Sequence, residues 1–140
     1  MKKLLLLLSI LLIANTFTSC KKEKEADNET SQLELLTAHK WNGDDYLTYI
    51  DGTLTNTDDL TDSYLFKENF DFFRYVANGS VADQGTWQLI DGSPETLKLT
   101  LDDGSVQEYK IIKLTENELS FKLETTSNNG TIKIVFNYKK

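Results

Sequence analysis

Polar and apolar residues alternate along much of the second half of the chain. The alternation is regular over residues 96–101, 118–124 and 131–138, where every second residue is apolar. A period of two is the pattern of a β-strand with one buried face and one face in water. Turn sequences such as Asp102-Asp103-Gly104 and Asn128-Asn129-Gly130 separate these segments. The pattern predicts antiparallel strands joined by short turns.

The first half has the same rhythm beyond its N-terminal segment, with more aromatic residues. Further strands are predicted over residues 41–50, 64–66, 70–76, 84–90 and 106–114. Asp51-Gly52 is a hairpin-turn sequence. The polar stretch 53–62 is either the second arm of that hairpin or a loop. Residues 32–36 predict a single helical turn with Ser31 as its N-cap.

The number and order of these segments define the expected fold. Strands do not alternate with long helical patterns, so a parallel α/β sheet is not expected. About eight consecutive antiparallel strands can close on themselves, which removes the exposed edges of the sheet. We therefore expect an all-β protein, an antiparallel up-and-down β-barrel of about eight strands. A β-sandwich is the alternative fold.

The N-terminal residues 1–19 have the three-part pattern of a secretory signal peptide. Lys2 and Lys3 precede an apolar run from Leu4 to Ala14, and small polar residues follow. The apolar run is roughly ten residues long, whereas a membrane-spanning helix needs about 20. A transmembrane helix is therefore the weaker interpretation.

The sequence Phe17-Thr18-Ser19-Cys20 resembles a bacterial lipobox and is similar to the relaxed lipoboxes of Bacteroidetes-type lipoproteins. The resemblance implies cleavage before Cys20, a diacylglycerol thioether on its sulfur and usually a third acyl chain on its amine. Two or three acyl chains form a stable membrane anchor. The implied location is the bacterial cell envelope, lipid-anchored at the outer membrane, with the periplasmic or surface-exposed side left open.

The alternative is a secreted protein that ends in an odd cysteine. Cys20 is the only cysteine of the chain, so an intramolecular disulfide is excluded. The charged residues that follow contain no aromatic or branched apolar side chain, which predicts a disordered tether over residues 20–32. This run resembles surface-export signals of some Bacteroidetes lipoproteins, and a plain spacer is the alternative. Residues 33–140 form the expected domain.

The charge of the chain limits its partners. The net charge is −7, and removing Lys2 and Lys3 with the signal makes the remainder two units more negative. Nucleic acid is not an expected partner, because its phosphates require basic neutralisation. A polybasic docking surface for anionic lipid is also excluded. Membrane association is expected through the acyl chains on Cys20 alone, and a protein partner is not identified.

Three stretches together resemble the lipocalin-like domains of Bacteroidetes lipoproteins. They are Leu36-Thr37-Ala38-His39-Lys40-Trp41, Gln84-Gly85-Thr86-Trp87 and the segment from Tyr109 to Leu119. The segment Phe66-Lys67-Glu68-Asn69-Phe70 resembles a turn of the same family. Asn69-Phe70 stands where the family has Asp-Gly, and His39 stands where it has glycine. The resemblance implies an up-and-down barrel over about residues 33–138, with Trp41 and Trp87 at its closed end. It implies ligand binding only weakly, since fold does not determine function.

Aromatic residues are the candidate lining of a ligand cavity. An eight-stranded barrel either holds one small ligand or is filled by its own side chains. The candidates are Trp41, Phe70, Phe72, Phe73, Tyr75 and Trp87. The alternative is that these rings form the packed core, which is the interpretation we favour for a domain of this size.

The sequence contains no recognisable catalytic or metal-binding motif, and no cofactor is predicted. His39 is the only histidine, and a solvated or capping role is expected for it. Asp58, Asp59 and Asp62 could hold a calcium ion weakly, although solvated loop acids are the default.

Three functions are consistent with these patterns. The first is non-catalytic binding of a small apolar molecule in the barrel. The second is an interaction or scaffold lipoprotein that binds a protein or glycan on its outer face, with an exposed aromatic patch around Tyr46, Tyr49 and Tyr64. The third, a hydrolase that uses loop carboxylates, is the least favoured, because no carboxylate pair is distinguished.

Overall fold

The computed structural model describes residues 31–90 and 95–140. The signal peptide, Cys20 and residues 21–30 of the tether lie outside this part. Within it the chain forms one helix and nine strands. They are α1 Gln32–Thr37, β1 Lys40–Ile50, β2 Thr53–Asp59, β3 Ser63–Phe66, β4 Asp71–Tyr75, β5 Val81–Ile90, β6 Thr96–Leu101, β7 Val106–Leu114, β8 Glu118–Ser127 and β9 Gly130–Lys139.

The helix α1 is the single turn expected from the sequence, and its cap is confirmed. The Ser31 Oγ accepts a hydrogen bond from the Glu34 amide at 3.2 Å, and the Glu34 carboxylate accepts one from the Ser31 amide at 2.9 Å. This reciprocal pair is a capping box, which satisfies amides that a helix start leaves unbonded. The cap holds α1 so that Leu36 is completely buried against the end of the barrel.

The sheet is antiparallel and closes into the expected barrel. Its strand order is β2-β1-β3-β4-β5-β6-β7-β8-β9, and β1 also pairs with β9. Eight strands, β1 and β3 to β9, therefore form the ring, which confirms the barrel and not the sandwich. The stretch left open by the sequence, 53–62, contains β2, which pairs with β1 through a turn at Asp51 and Gly52. Both turn residues have positive φ, 49° and 81°, as a tight two-residue hairpin requires.

The β1–β2 and β8–β9 hairpins continue beyond the rim of the barrel. The β8–β9 ladder reaches Ser127–Gly130, whereas β7 pairs with β8 only as far as Lys110–Lys122. We call the projecting part, residues 46–58 and 123–135, the extension. Its four strands have the order β2-β1-β9-β8. Asp51 fastens the two hairpins together, because its amide donates to the Thr131 carbonyl and its carboxylate accepts from the Thr131 amide, each at 2.9 Å.

The half of the barrel next to α1 is filled by its own side chains, and we call it the closed end. Its largest completely buried residues are Trp41, Phe66, Phe72, Leu36, Leu97, Leu99 and Leu119. Trp41 donates its indole N–H to the Leu36 carbonyl at 2.9 Å, and Trp87 donates to the Lys67 carbonyl at 3.1 Å. Both tryptophans are thus buried at the closed end, as the family resemblance implied, and each indole N–H has a hydrogen-bond partner.

The turn that departs from the family pattern has an unusual backbone. Phe70 adopts a left-handed conformation with φ 67°, at the position where glycine is expected. Such a φ is unfavourable for a side chain as large as phenylalanine. The Phe70 ring lies 5.3 Å from the Trp87 ring, and the Phe70 carbonyl accepts a hydrogen bond from the Trp87 amide at 2.8 Å. These contacts with Trp87 offset part of the strain.

Candidate functional site

A cleft of about 200 Å³ lies at the open end of the barrel. Strand alternation explains its lining, because the same inward positions that fill the closed end continue to the rim. Across the rim, Tyr64 pairs with Arg74, and Arg74 pairs with Asp83. The lining residues are Asp62, Tyr64, Arg74, Asp83, Gln107, Tyr109, Phe121, Phe136 and Tyr138.

Arg74 is the charged centre of the cleft and lies between two carboxylates. Its Nε donates to Oδ2 of Asp83 at 2.7 Å, its Nη2 bonds the same oxygen, and its Nη1 donates to Oδ2 of Asp62 at 3.3 Å. Burial lowers the pKa of Arg74, but the hydrogen bonds to Asp83 and Asp62 and the charges of Tyr64 and Asp83 outweigh it and raise that pKa. The guanidinium therefore stays charged and all three nitrogens have carboxylate partners.

Aromatic rings form the floor and one wall of the cleft. The Phe121 ring contacts Tyr109, Tyr138 and Phe136, with ring centroids 4.8, 5.2 and 5.6 Å apart. The Tyr138 hydroxyl donates to Asp62 at 3.3 Å, and the Tyr109 hydroxyl donates to Gln107 at 2.8 Å. Burial raises the pKa of Tyr109 and of Tyr138, so both phenols remain protonated donors at neutral pH.

The apolar face of the extension continues from this aromatic wall. The register places Tyr46, Thr48 and Ile50 of β1 on the same face as Phe136, beside Ile134 and Ile132 of β9 and Leu123 of β8. Ile50, Leu123 and Ile132 are between 41% and 49% exposed, which is high for large apolar side chains. The cleft and the extension thus form one surface, polar at the rim of the barrel and apolar beyond it.

The six cavity candidates from the sequence do not surround one cavity. Trp41, Phe72 and Trp87 are buried at the closed end, whereas Phe70 is half exposed on the turn beside Trp87. Phe73 and Tyr75 lie on the outer face of β4, under the ammonium groups of Lys67 and Lys40, respectively. None of the six lines the cleft. Their contact with a ligand stays a prediction, and the packing matches the core interpretation.

The proposed outer patch of three tyrosines is wrong. Tyr64 is buried and faces into the cleft, because it lies on an inward position of β3. Tyr46 lies on the inner face of the extension, while Tyr49 lies on its outer face under Lys133, 3.9 Å from the ring centroid. Side chains alternate between the two faces of a strand, so Tyr46 and Tyr49, which are three positions apart, point to opposite faces.

His39 is partly exposed, and it does not have the expected capping role. Its ring packs against Trp41, with centroids 4.2 Å apart, and its buried Nε2 has no hydrogen-bond partner. Burial, followed by the charge of Lys140, lowers the pKa of His39. The imidazole therefore packs on Trp41, and the helix before it ends at Ala38 instead.

The aspartates considered for calcium are used separately. Asp58 accepts hydrogen bonds from Tyr46 at 3.0 Å and from Asn56 at 2.7 Å, whereas Asp62 binds Arg74 in the cleft. Across the described ranges, 31–90 and 95–140, no group of three or more metal-binding side chains occurs. Within the same ranges, no helix has the length and apolar character needed to cross a membrane.

Arg74 and Asp83 are not among the site residues expected from the sequence, and Asp62 is expected there only as a calcium ligand, although one signal for Arg74 is present. Arg74 is the only arginine of the chain, and it stands two residues after Phe72 in the most aromatic strand. If Phe72 faces inward, period two puts Arg74 inward as well. A guanidinium at a core-facing position requires carboxylate partners, and such a group is a candidate site.

A closed antiparallel barrel of eight strands with one packed end and one open cleft defines the class of up-and-down β-barrels. The family model for the lipocalin-like domain matches residues 37–121, more than half of the chain. The protein belongs to the lipocalin-like domain family. No curated protein matches the chain at a significant level.

Proposed function

We propose that this protein is a lipid-anchored protein of the bacterial cell envelope that binds a small, largely apolar molecule without catalysis. The observation that carries the proposal is the cleft at the open end, where aromatic rings and a few polar groups converge. This combination is characteristic of small-molecule sites, in which apolar lining supplies affinity and polar groups fix orientation.

The size of the cleft limits the ligand. Sites for drug-sized molecules have volumes of about 300–1,000 Å³, and the cleft has about 200 Å³. One ring, or two fused rings, with a short substituent fits within it. A longer molecule fits when its remaining part lies on the apolar face of the extension, which borders the cleft at Tyr46 and Phe136.

The position of the tether supports an anchored carrier. The chain enters the domain at Ser31, directly before α1, and α1 packs on the closed end through Leu36. A lipid on Cys20 is therefore connected to the domain on the side of the closed end, through intervening residues that reach at most about 40 Å when fully extended. The anchor does not block the cleft, because the cleft lies at the opposite end of the barrel.

Native mass spectrometry of the protein purified from its own host tests the binding function. We expect a reproducible added mass on the wild-type chain. The substitution Tyr109→Leu should reduce the occupied fraction at least about fivefold, because it removes a ring and a hydroxyl from the cleft.

The matched control is Tyr75→Leu, the same change on the outer face of β4. It should leave the occupied fraction unchanged within about a factor of 1.5, since Tyr75 does not line the cleft. Equal losses in the two variants, or an added mass that both retain in full, contradict binding in the cleft. Circular dichroism of each variant confirms that the fold is retained.

Lipid attachment is tested on Cys20. We expect the mature chain to begin at Cys20 and to carry the mass of two or three acyl chains, because one chain alone anchors only weakly. In Cys20→Ala the acyl mass should disappear and the protein should move from the detergent phase to the aqueous phase in a phase-separation assay. A wild-type N-terminus other than residue 20, or an unmodified cysteine, rules out the anchor.

The second candidate function is binding of another macromolecule through the extension. Its exposed residues Ile50, Leu123 and Ile132 favour this alternative, because large apolar side chains in water mark interaction sites. The native mass measurement separates the two functions. A small added mass that depends on Tyr109 supports the carrier, whereas a protein-sized added mass that depends on Leu123 supports the interaction protein.

A further inference from the structure

The cleft has more negative than positive charge. Asp62 and Asp83 each carry one negative charge, and Arg74 is the only cation among the described residues that line the cleft. All three are partly shielded from water, with side chains 14%, 31% and 29% exposed, respectively. Charge interactions in such a partly desolvated place are stronger than on an open surface.

An anionic ligand meets a guanidinium whose charge is already compensated. Three of the five N–H groups of Arg74 bond to the carboxylates of Asp83 and Asp62, so an anion that bonds to the remaining N–H groups lies beside two negative charges. A second depression, of about 380 Å³, adjoins the cleft at Asp83 and is lined by Asp102 and Asp103 as well. These acids make the approach to the rim more negative and further disfavour an anion.

A cation finds partners of two kinds. Arg74 bonds twice to Oδ2 of Asp83, so Oδ1 of Asp83 is not used by the guanidinium and can accept from an ammonium group. The rings of Tyr109, Phe121 and Phe136 are next to these carboxylates, and the faces of aromatic rings attract cations. The Tyr138 hydroxyl donates to Asp62 and so holds that carboxylate in place.

We infer that the ligand of the cleft is a protonated amine with an apolar body, whose ammonium group bonds to Asp83 and Asp62 while the body contacts the aromatic wall and the extension. This inference rests on the proposed function, because it assigns the chemical class of the molecule that the cleft binds. It excludes fatty acids and other carboxylates as the preferred ligands.

Three probes of matched shape test the inference: tryptamine, which is cationic, tryptophol, which is neutral, and indole-3-propionate, which is anionic. Binding is followed on the intact chain by the backbone amide resonances of Asp83, Tyr109 and Phe136. We expect tryptamine to bind about tenfold more tightly than tryptophol, because its ammonium forms charge-assisted hydrogen bonds. Indole-3-propionate should bind more weakly than tryptophol.

Two variants that each remove one negative charge test whether the ammonium group binds at Asp83. Asp83→Asn should weaken tryptamine binding about tenfold, whereas Asp59→Asn should change it less than about twofold. Asp59 is exposed on β2, where it pairs with Asp45 on the outer face. The intact, lipid-anchored chain is measured in detergent, which also takes up part of each probe. This uptake is the same for the wild type and the two variants, so it does not affect the comparison between them.

The outcomes separate the inference from the proposed function. If tryptophol or indole-3-propionate shifts the cleft resonances at concentrations as low as tryptamine does, the cleft binds small molecules but the amine assignment is overturned. Equal weakening by Asp83→Asn and Asp59→Asn also overturns it. If no probe shifts these resonances, the amine assignment fails, and the native mass measurement alone decides the binding function.

Discussion

Replacing Trp41 by alanine is expected to lower the free energy of unfolding by about 3–5 kcal/mol, as for other fully buried tryptophans. Trp41 is completely buried, and its indole N–H holds the Leu36 carbonyl at the end of α1. The substitution leaves a cavity and removes the hydrogen bond that attaches α1 to the barrel. Urea unfolding followed by circular dichroism measures the change. The slope of the free energy of unfolding against urea concentration should be the same for the variant and the wild type.

Trp41→Phe is the matched control for the cavity. It retains most of the ring volume and loses the N–H, so we expect a loss of about 1–2 kcal/mol. If Trp41→Ala costs less than about 1 kcal/mol, the closed end is not packed around Trp41. The difference between the two variants separates the contribution of the cavity from that of the hydrogen bond to Leu36.

Replacing Gly85 by alanine should destabilise the barrel by about 3 kcal/mol or more, at the upper end of overpacking effects. A Cβ atom at this position is 2.1 Å from the Thr100 carbonyl oxygen and 2.9 Å from the Leu101 Cα. Both are backbone atoms of the adjacent strand, so a side-chain rotation cannot relieve the overlap. The β5–β6 pairing has to open, which also disturbs the contact between Trp87 and Leu99.

Gly104→Ala provides the comparison. Gly104 has φ +85° and no atom within 4 Å of an added Cβ, so only backbone strain opposes the substitution. We expect a loss of about 1 kcal/mol, the lower end of the cost of a left-handed alanine. Urea unfolding of both variants in parallel makes the test. A loss for Gly85→Ala equal to or smaller than that for Gly104→Ala contradicts the close approach of β5 to β6.

Local patterns were sufficient to predict the elements of the fold. The period of two identified the strands that form the barrel, although residues 53–62 were left open, and Ser31 marked the start of α1. The closed end was predicted from Trp41 and Trp87, because the motifs that contain them resemble those of the family. These features depend on residues close together in the sequence, and for that reason the sequence reveals them.

The site depends on pairings between distant residues, which the sequence does not reveal. Arg74 meets Asp62 and Asp83 only because the registers of β3, β4 and β5 bring them to the same level of the barrel. The extension likewise results from how far the β8–β9 ladder exceeds the β7–β8 ladder. A shift of one residue in any of these registers reverses which side chains face inward.

The aromatic candidates show the same limit. Phe70, Phe72 and Phe73 are close in sequence, but one is exposed on a turn, one is buried and one lies on the outer face. Because these rings are dense in the sequence, they were predicted to line a cavity. The residues that line the cleft come instead from β3 to β5 and β7 to β9, with Asp62 just before β3.

We would first determine a crystal structure of the protein purified from its own host, together with the ligand that co-purifies with it. We expect electron density for a small molecule in the cleft, in contact with Tyr109 and Phe136 and next to the Arg74 ion pairs. Density inside the closed end, between Trp41 and Phe72, or on the outer surface with an empty cleft, contradicts binding at the open end of the barrel.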